Sequence, residues 1–241
     1  MQNQVQPLAG AGAVVSIRGE RENFVNHAAP RFLAPHLALI ANLATLASMV
    51  LPWVSTLIFE IESAADISWF HAFLTSAAGA AFHPYITRVQ FPKFHWFSGI
   101  NQSKTVNPSL EFSAWLPNLQ EVTLRFHTAG LTISRWSEKV RIEKELAGDW
   151  PGSKQLKLRK LDNVVEFYDL PALFNCNELK IVHLECVDSL MVRGYLTHGN
   201  ALTVFDEIAV WMRNEFHSRH RHITITKDVI AVTGQVDETW D

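Results

Sequence analysis

The feature that most constrains the fold of this chain is a short apolar spacing that recurs along it. In the segment Leu119–Leu124, apolar residues occupy the first, fourth and sixth positions, and the same spacing begins at Val54, Ile86 and Leu179. A degenerate copy begins at His220. One match is expected of any buried strand. Five matches in one chain predict a repeating β-α architecture.

Apolar stripes at helical spacing lie between most of these copies. They predict helices at about 36–50, 66–79, 134–146 and 161–175, and a last helix that runs up to about 217. The predicted strands are residues 53–61, 85–91, 119–126, 179–187 and 223–226. Parallel strands need long crossovers, which these helices supply. The sequence therefore predicts an α/β fold with a largely parallel sheet of about five short strands and helices between them.

The predicted domain has an arm before it and a tail after it. Residues 1–30 are small, polar and rich in glycine and alanine, which predicts a loose N-terminal arm. Residues 31–226 are predicted to form a single α/β repeat-like domain, followed by a C-terminal tail at 227–241. Within the domain, Pro52 is predicted to end the first helix and Asp66 to cap the second. Thr203 and Asp206 are predicted to open the last helix as an acidic capping box.

Composition narrows the class of protein. Of the 241 residues, 48% are apolar and 19% are charged, which is typical of an ordered, soluble globular protein. A formal net charge of −3 gives no electrostatic reason to expect nucleic acid as a partner. The two cysteines, Cys176 and Cys186, do not make a disulfide framework, and residues 1–15 lack the basic residue of a secretory signal. We therefore expect a cytoplasmic or nuclear location.

The run from Phe32 to Leu51 is the one candidate for a membrane span, because it is long and nearly uncharged. Polar residues interrupt it, and Leu39, Leu43 and Leu46 lie on one helical stripe. This pattern favours an amphipathic buried helix over a membrane span.

No familiar catalytic motif occurs in the sequence. It contains neither the G-x-S-x-G turn of α/β-hydrolases nor a P-loop, and Gly10-Ala11-Gly12 lacks the third glycine of a dinucleotide fingerprint. No catalytic residue and no cofactor is predicted.

The sharpest local oddity is the basic run His217–His222. His217, His220 and His222 have the imidazole nitrogens that suit zinc, and the arginines between them could hold a phosphate. The alternative is that these basic side chains follow the end of a helix, where the helix dipole favours positive charge.

A second candidate site follows from strand geometry. Residues between the apolar positions of each strand point away from the core, and on parallel neighbouring strands they form one surface. The predicted binding residues on this surface are Arg88, Gln90, Glu121, Thr123, Arg125, His183, Glu185 and Thr224. The aromatic segment 92–113 has no clear period and is predicted to be a long loop, serving either in binding or as a cover over the core.

Two blocks of sequence carry a resemblance to a known group of proteins. The first is Trp115–Leu124 with the following His127–Gly130, and the second runs from Tyr168–Cys176 through Val182–Leu184. With them, residues 35–226 resemble uncharacterised filamentous-fungal proteins that have an F-box-like N-terminus followed by degenerate leucine-rich-repeat-like α/β units. An F-box-like start would read Leu-Pro-x-Glu, whereas Leu33–Leu37 lacks the acidic residue.

The resemblance implies a leucine-rich-repeat-like fold and an interaction protein, and it brings no catalytic residue. The predicted function is therefore non-enzymatic binding of another protein through the exposed face of the sheet. The alternatives are an enzyme or metal-binding protein that uses the His217–His222 run, and an eroded F-box-type substrate adaptor.

Overall fold

The computed structural model describes residues 12–19, 30, 32–33 and 41–231. Its strands are β1 Val14–Ile17, β2 Ile58–Ile61, β3 Arg88–Phe91, β4 Glu121–His127, β5 Thr132–Ser134, β6 Leu156–Leu158, β7 Ile181–Asp188 and β8 Thr224–Ala231. Its helices are α1 Leu43–Thr45, α2 Leu51–Val54, α3 Ala64–Thr75, α4 Pro108–Trp115, α5 Glu138–Leu146, α6 Trp150–Ser153, α7 Leu161–Tyr168, α8 Leu190–Tyr195 and α9 Ala201–Ser218. A π-helical turn, Leu46–Val50, joins α1 to α2.

The main sheet has six parallel strands in the order β1-β2-β3-β4-β7-β8. Each new strand is added on the same side of the previous one. Because β-to-β crossovers are right-handed in nearly all proteins, strands added in one direction bring every crossover to the same face of the sheet. One face therefore packs against the helices. The other face is left uncovered by the part of the chain that the structure describes.

The apolar spacing found in the sequence marks the covered face. Its four regular copies are buried at every position: Val54, Leu57 and Phe59; Ile86, Val89 and Phe91; Leu119, Val122 and Leu124; Leu179, Val182 and Leu184. In the degenerate copy Ile225 is buried and Ile223 packs partly buried against the core. Together with Phe205, Ile208 and Met212 of α9, these side chains belong to one hydrophobic core. The prediction of an α/β fold with a largely parallel sheet is confirmed.

The number and limits of the strands differ from the prediction. The main sheet has six strands instead of five, because β1 lies in the segment predicted to be a loose arm. In the register, Val15 pairs with Phe59, which is the last apolar position of the copy that begins at Val54. Ala13 therefore occupies the position at which the other copies have a large apolar residue. Because the alanine side chain is small, the repeat is not recognisable here from the sequence. The C-terminal tail was predicted to begin at Lys227, and this boundary is also wrong, since β8 continues to Ala231.

Three helix boundaries were predicted wrongly. Pro52 does not end the first helix. It lies in the first turn of α2, which follows the π-helical turn directly, and Leu51 before it keeps helical angles (φ −64°, ψ −45°). The strand predicted from residue 53 consequently begins at 58. The last helix begins at Ala201 with Asn200 as its N-cap, so Thr203 and Asp206 lie inside it. Asp66 is the third residue of α3, where it completes a capping box with the N-cap Ser63.

Two segments contain elements that the sequence pattern did not reveal. Residues 92–113 are not one loop, because they hold a 3₁₀ turn at Phe94–Trp96 and most of α4. The helix predicted from 134 begins at Glu138, because residues 132–134 form β5, which pairs antiparallel with β6 in a small separate sheet. We call residues 132–158 the appendage, since they extend from the crossover between β4 and β7.

The segment that holds the candidate membrane span and the F-box-like start, and that was predicted to form a buried amphipathic helix, is only partly described. Residues 34–40, including Leu39 and most of the F-box-like start, lie outside the described residues. Where the chain is described, it contains no helix that is both long and apolar enough to cross a membrane.

Candidate interaction surface

The uncovered side of the six-stranded sheet, which we call the open face, collects polar side chains from every strand. Its polar side chains are Ser16, Glu60, Arg88, Gln90, Glu121, Thr123, Arg125, His183, Glu185, Thr224 and Thr226, with Arg18, Glu62 and Lys93 just after the ends of β1, β2 and β3. Val14, Ile58, His127, Ile181 and Val187 share the same face. All eight residues predicted to form the binding surface lie on this face. None of the face residues is buried, so the surface is accessible to a partner.

The middle of the open face is a row of side chains that touch across neighbouring strands. The register aligns Ser16, Glu60, Gln90, Thr123, His183 and Thr226. Ser16 Oγ and Gln90 Nε2 both donate to the Glu60 carboxylate at 2.8 Å. His183 Nδ1 lies 2.6 Å from Thr226 Oγ1. These contacts hold long polar side chains in place, which lowers the entropy that a partner must remove on binding.

Two ion-pair systems flank this row on the central strands. Glu121 on β4 lies between two neighbours, with Arg88 Nε at 3.4 Å and His183 Nε2 at 3.1 Å from its carboxylate oxygens. Further along the same strands, Arg125 Nε donates to Glu185 Oε2 at 2.6 Å. Each positive side chain on this part of the face therefore has a carboxylate beside it.

A third ion-pair system joins the first three strands and was missed by the sequence analysis. Arg18 Nη2 contacts Glu60 at 2.7 Å and Glu62 at 2.5 Å, and Lys93 Nζ contacts Glu62 at 2.8 Å. Arg18 follows β1, and the residues of β1 were predicted to belong to a loose arm. Arg18 was therefore not predicted to lie on the surface of the sheet. The alternation in Val14-Val15-Ser16-Ile17 was the signal that could have found it.

Two groups beside the face have shifted pKa values. Partial burial raises the pKa of Glu60, but hydrogen bonds from Ser16, Arg18 and Gln90 together with the Arg18 charge outweigh it and hold that pKa below 4.5. Burial lowers the pKa of His95 to about 4, assisted by the charges of His127, Arg125 and Lys93. The hydrogen bond from His95 Nδ1–H to the Arg125 carbonyl, at 3.3 Å, acts in the opposite direction and raises that pKa.

The chain of contacts from Thr226 through His183 to Glu121 has the connectivity of a hydroxyl, an imidazole and a carboxylate. A hydrolase with such residues also needs a cleft that places a substrate against the hydroxyl. Cavities of about 290, 420 and 660 Å³ occur in the structure, and His183 lines none of these three. The strand order also has no reversal, so the sheet lacks the crevice at which open α/β sheets bind ligands.

The basic run after α9 forms contacts of its own with the protein. Arg221 donates to the carbonyls of Phe174 at 3.0 Å and Asn177 at 3.3 Å and also to that of Cys176, so it is not free to hold a phosphate. The rings of His217 and His222 are 5.8 Å apart. Over the described ranges, however, no group of three or more His, Cys, Asp or Glu side chains is arranged to hold a metal ion. The predicted site of His217, His220 and His222 is therefore not formed.

The two cysteines behave as small apolar groups. Cys176 and Cys186 are free and buried. Burial raises the pKa of each thiol to about 12. Neither is therefore a reactive thiolate at neutral pH.

Comparison with known proteins adds no family or function to this geometry, because no family model, curated protein or solved structure matches the chain.

Proposed function

We propose that this protein is a non-enzymatic, leucine-rich-repeat-like interaction protein that binds another protein through the open face. The observation that carries the proposal is the uncovered face of a parallel sheet bearing rows of side chains already paired across the strands. Parallel sheets are ordinarily covered on both faces. A solenoid is the architecture in which one strand face stays open, and solenoids use that face to bind partners.

The charges on the open face favour a protein partner over nucleic acid. The cations Arg18, Arg88 and Arg125 are each paired with a carboxylate at 2.7, 3.4 and 2.6 Å. A surface for a phosphate backbone would leave its cations unpaired and clustered. A surface that carries both positive and negative side chains instead suits a protein partner whose surface also carries both. Complementary charges then fix how the two proteins align in the complex.

Photo-crosslinking tests this proposal directly. A photoreactive amino acid is introduced at Thr123, in the centre of the open face, and at Asn214, an exposed position of α9 on the other side of the molecule. In an extract of the source cells, we expect the Thr123 probe to capture a defined protein that the Asn214 probe does not. Capture of the same proteins at both positions, or no capture at Thr123, would contradict the proposal.

A further inference from the structure

The aromatic segment 92–113 contains one large aromatic side chain that faces solvent. Trp96, the last residue of the 3₁₀ turn after β3, is 64% exposed. The phenylalanines of the segment are placed differently, because Phe94 and Phe112 are buried and Phe97 packs partly buried against the core. The segment therefore covers the core with its phenylalanines and holds one indole ring in solvent.

Trp96 lies at the rim of the open face and is connected to it by two neighbouring side chains. The Lys93 ammonium lies 4.2 Å from the ring centre of Trp96 and 2.8 Å from the Glu62 carboxylate. The ring centre of His95 lies 6.2 Å from that of Trp96 and 5.4 Å from that of His127, which belongs to the open face. The indole ring is therefore continuous with the open face at the C-terminal ends of β2, β3 and β4.

Trp96 differs from the paired polar side chains of the open face in what it can contribute to binding. The ion pairs of the face are partly exposed, and such pairs contribute little free energy. Tryptophan is among the side chains that carry most of the energy in protein–protein interfaces, because one rigid ring removes a large apolar area from water. The cation–π contact with Lys93 orients the ring before binding, which lowers the entropy that is lost on binding. Trp96 can therefore supply affinity that the paired charges do not supply.

We propose that Trp96 is the anchor residue of the open face, and that the partner protein bound there has an apolar pocket that receives the indole ring. This inference rests on the proposed function, because it assigns an anchor to the same interface. The paired charges of the open face fix the alignment of the partner, and the enclosed ring supplies the affinity. Trp150 of α6 offers a matched control, because it is 58% exposed and lies in the appendage, outside the open face.

Capture by the Thr123 probe, measured in variants of Trp96, tests the anchor. We expect Trp96→Ala to weaken binding of the captured protein by roughly tenfold or more. Trp96→Phe should weaken it less, because phenylalanine keeps part of the apolar ring. Trp150→Ala should leave capture at the wild-type level. Thermal unfolding checks that each variant is folded, and we expect melting temperatures close to that of the wild type because both tryptophans are mostly exposed.

An aromatic photoreactive amino acid in place of Trp96 gives a second readout, because it keeps a large ring at this position. We expect it to capture the same protein as the Thr123 probe, whereas the same amino acid in place of Trp150 should not. Capture at Thr123 that Trp96→Ala does not reduce would overturn the anchor and leave the proposed function standing. Crosslinking of a different protein or of nucleic acid at position 96 would also overturn the anchor. A Thr123 probe that captures no protein in the wild type would overturn both.

Discussion

At the scale of single residues, the most informative side chain in the basic run is Arg221. Its guanidinium donates to the carbonyls of four residues and lies 5.2 Å from the ring centre of Phe216; these residues are Phe174, Cys176, Asn177 and Leu179. Arg221 follows α9, and its contacts hold in place the segment that leads into β7. The basic run of His and Arg residues is thus explained by structural contacts. The sequence alone could not distinguish this explanation from a ligand-binding site.

Tyr168 has a buried hydroxyl that lacks a hydrogen-bond partner among the described residues. The side chain is fully buried, its ring contacts those of Phe94, Phe126 and Phe167, and no described group accepts or donates a hydrogen bond to its hydroxyl. A Cβ added to Gly130 would lie 2.0 Å from that hydroxyl oxygen and 3.3 Å from Cζ. The hydroxyl is therefore the main obstacle to a side chain at position 130, and the ring carbon Cζ is a lesser one.

We predict that Tyr168→Phe raises the free energy of unfolding by about 1 kcal/mol, because it removes an unpaired buried hydroxyl. Gly130→Ala should cost about 1–3 kcal/mol in the wild type through overpacking, and clearly less in the Tyr168→Phe background. Urea unfolding of the four proteins measures both effects. Equal costs of Gly130→Ala in the two backgrounds would show that the hydroxyl is not the cause.

At the scale of elements, the strands were predictable where their own residues carried the pattern. β4 has Val122, Leu124 and Phe126 at its core positions and β7 begins its core positions with Val182 and Leu184, and both strands were located from the sequence to within two residues. β5 and β6 have three residues each, which is too short to show a period in the sequence; they pair with each other, and Leu156 of β6 forms one further bridge, to Leu196. The π-helical turn before α2 was also not predicted, because its formation depends on packing and not on the helix preferences of its own residues.

The candidate binding residues could likewise be assigned to a face, but their partners could not be assigned. Alternation along a strand decides which side of the sheet a residue occupies. The pairs Arg125–Glu185 and Glu121–His183 depend on the register between β4 and β7, which is set by tertiary packing. The sequence therefore predicted the surface and not its network.

The attachment of β1 to β2 has a predictable pH dependence. The pKa of Glu60 is held below 4.5 in the folded protein, so its contribution to stability is present above that pH and is lost as the pH falls through the folded value. We expect the wild type to be more stable than Glu60→Gln at neutral pH, with the difference shrinking below about pH 4.5. Unfolding curves at a series of pH values measure the difference. A difference that is the same at pH 3 and at about pH 7 would contradict this account of Glu60.

At the scale of the whole molecule, the strand order explains both the core and the open face. Strands added in one direction leave one side of the sheet without helices, and side chains on that side are therefore mostly polar and reach solvent. The alternation of apolar and polar residues that reveals the repeat in the sequence is the consequence of this architecture. The proposed function rests on the same feature.

The Arg125–Glu185 pair lies near the centre of the open face and separates recognition from stability. Arg125→Glu and Glu185→Arg each place like charges together on neighbouring strands, whereas the double exchange restores an ion pair with its direction reversed. The pair is partly exposed, so we expect the double variant to unfold within about 1 kcal/mol of the wild type. Its pattern of charge towards a partner is nevertheless inverted.

The most direct test of the open face as a recognition surface is partner capture by this double variant, compared with the wild type at equal concentration. We predict that the double variant keeps the melting temperature of the wild type and loses most of the partner captured through the Thr123 probe. Capture at the wild-type level by a double variant of unchanged stability would contradict the account.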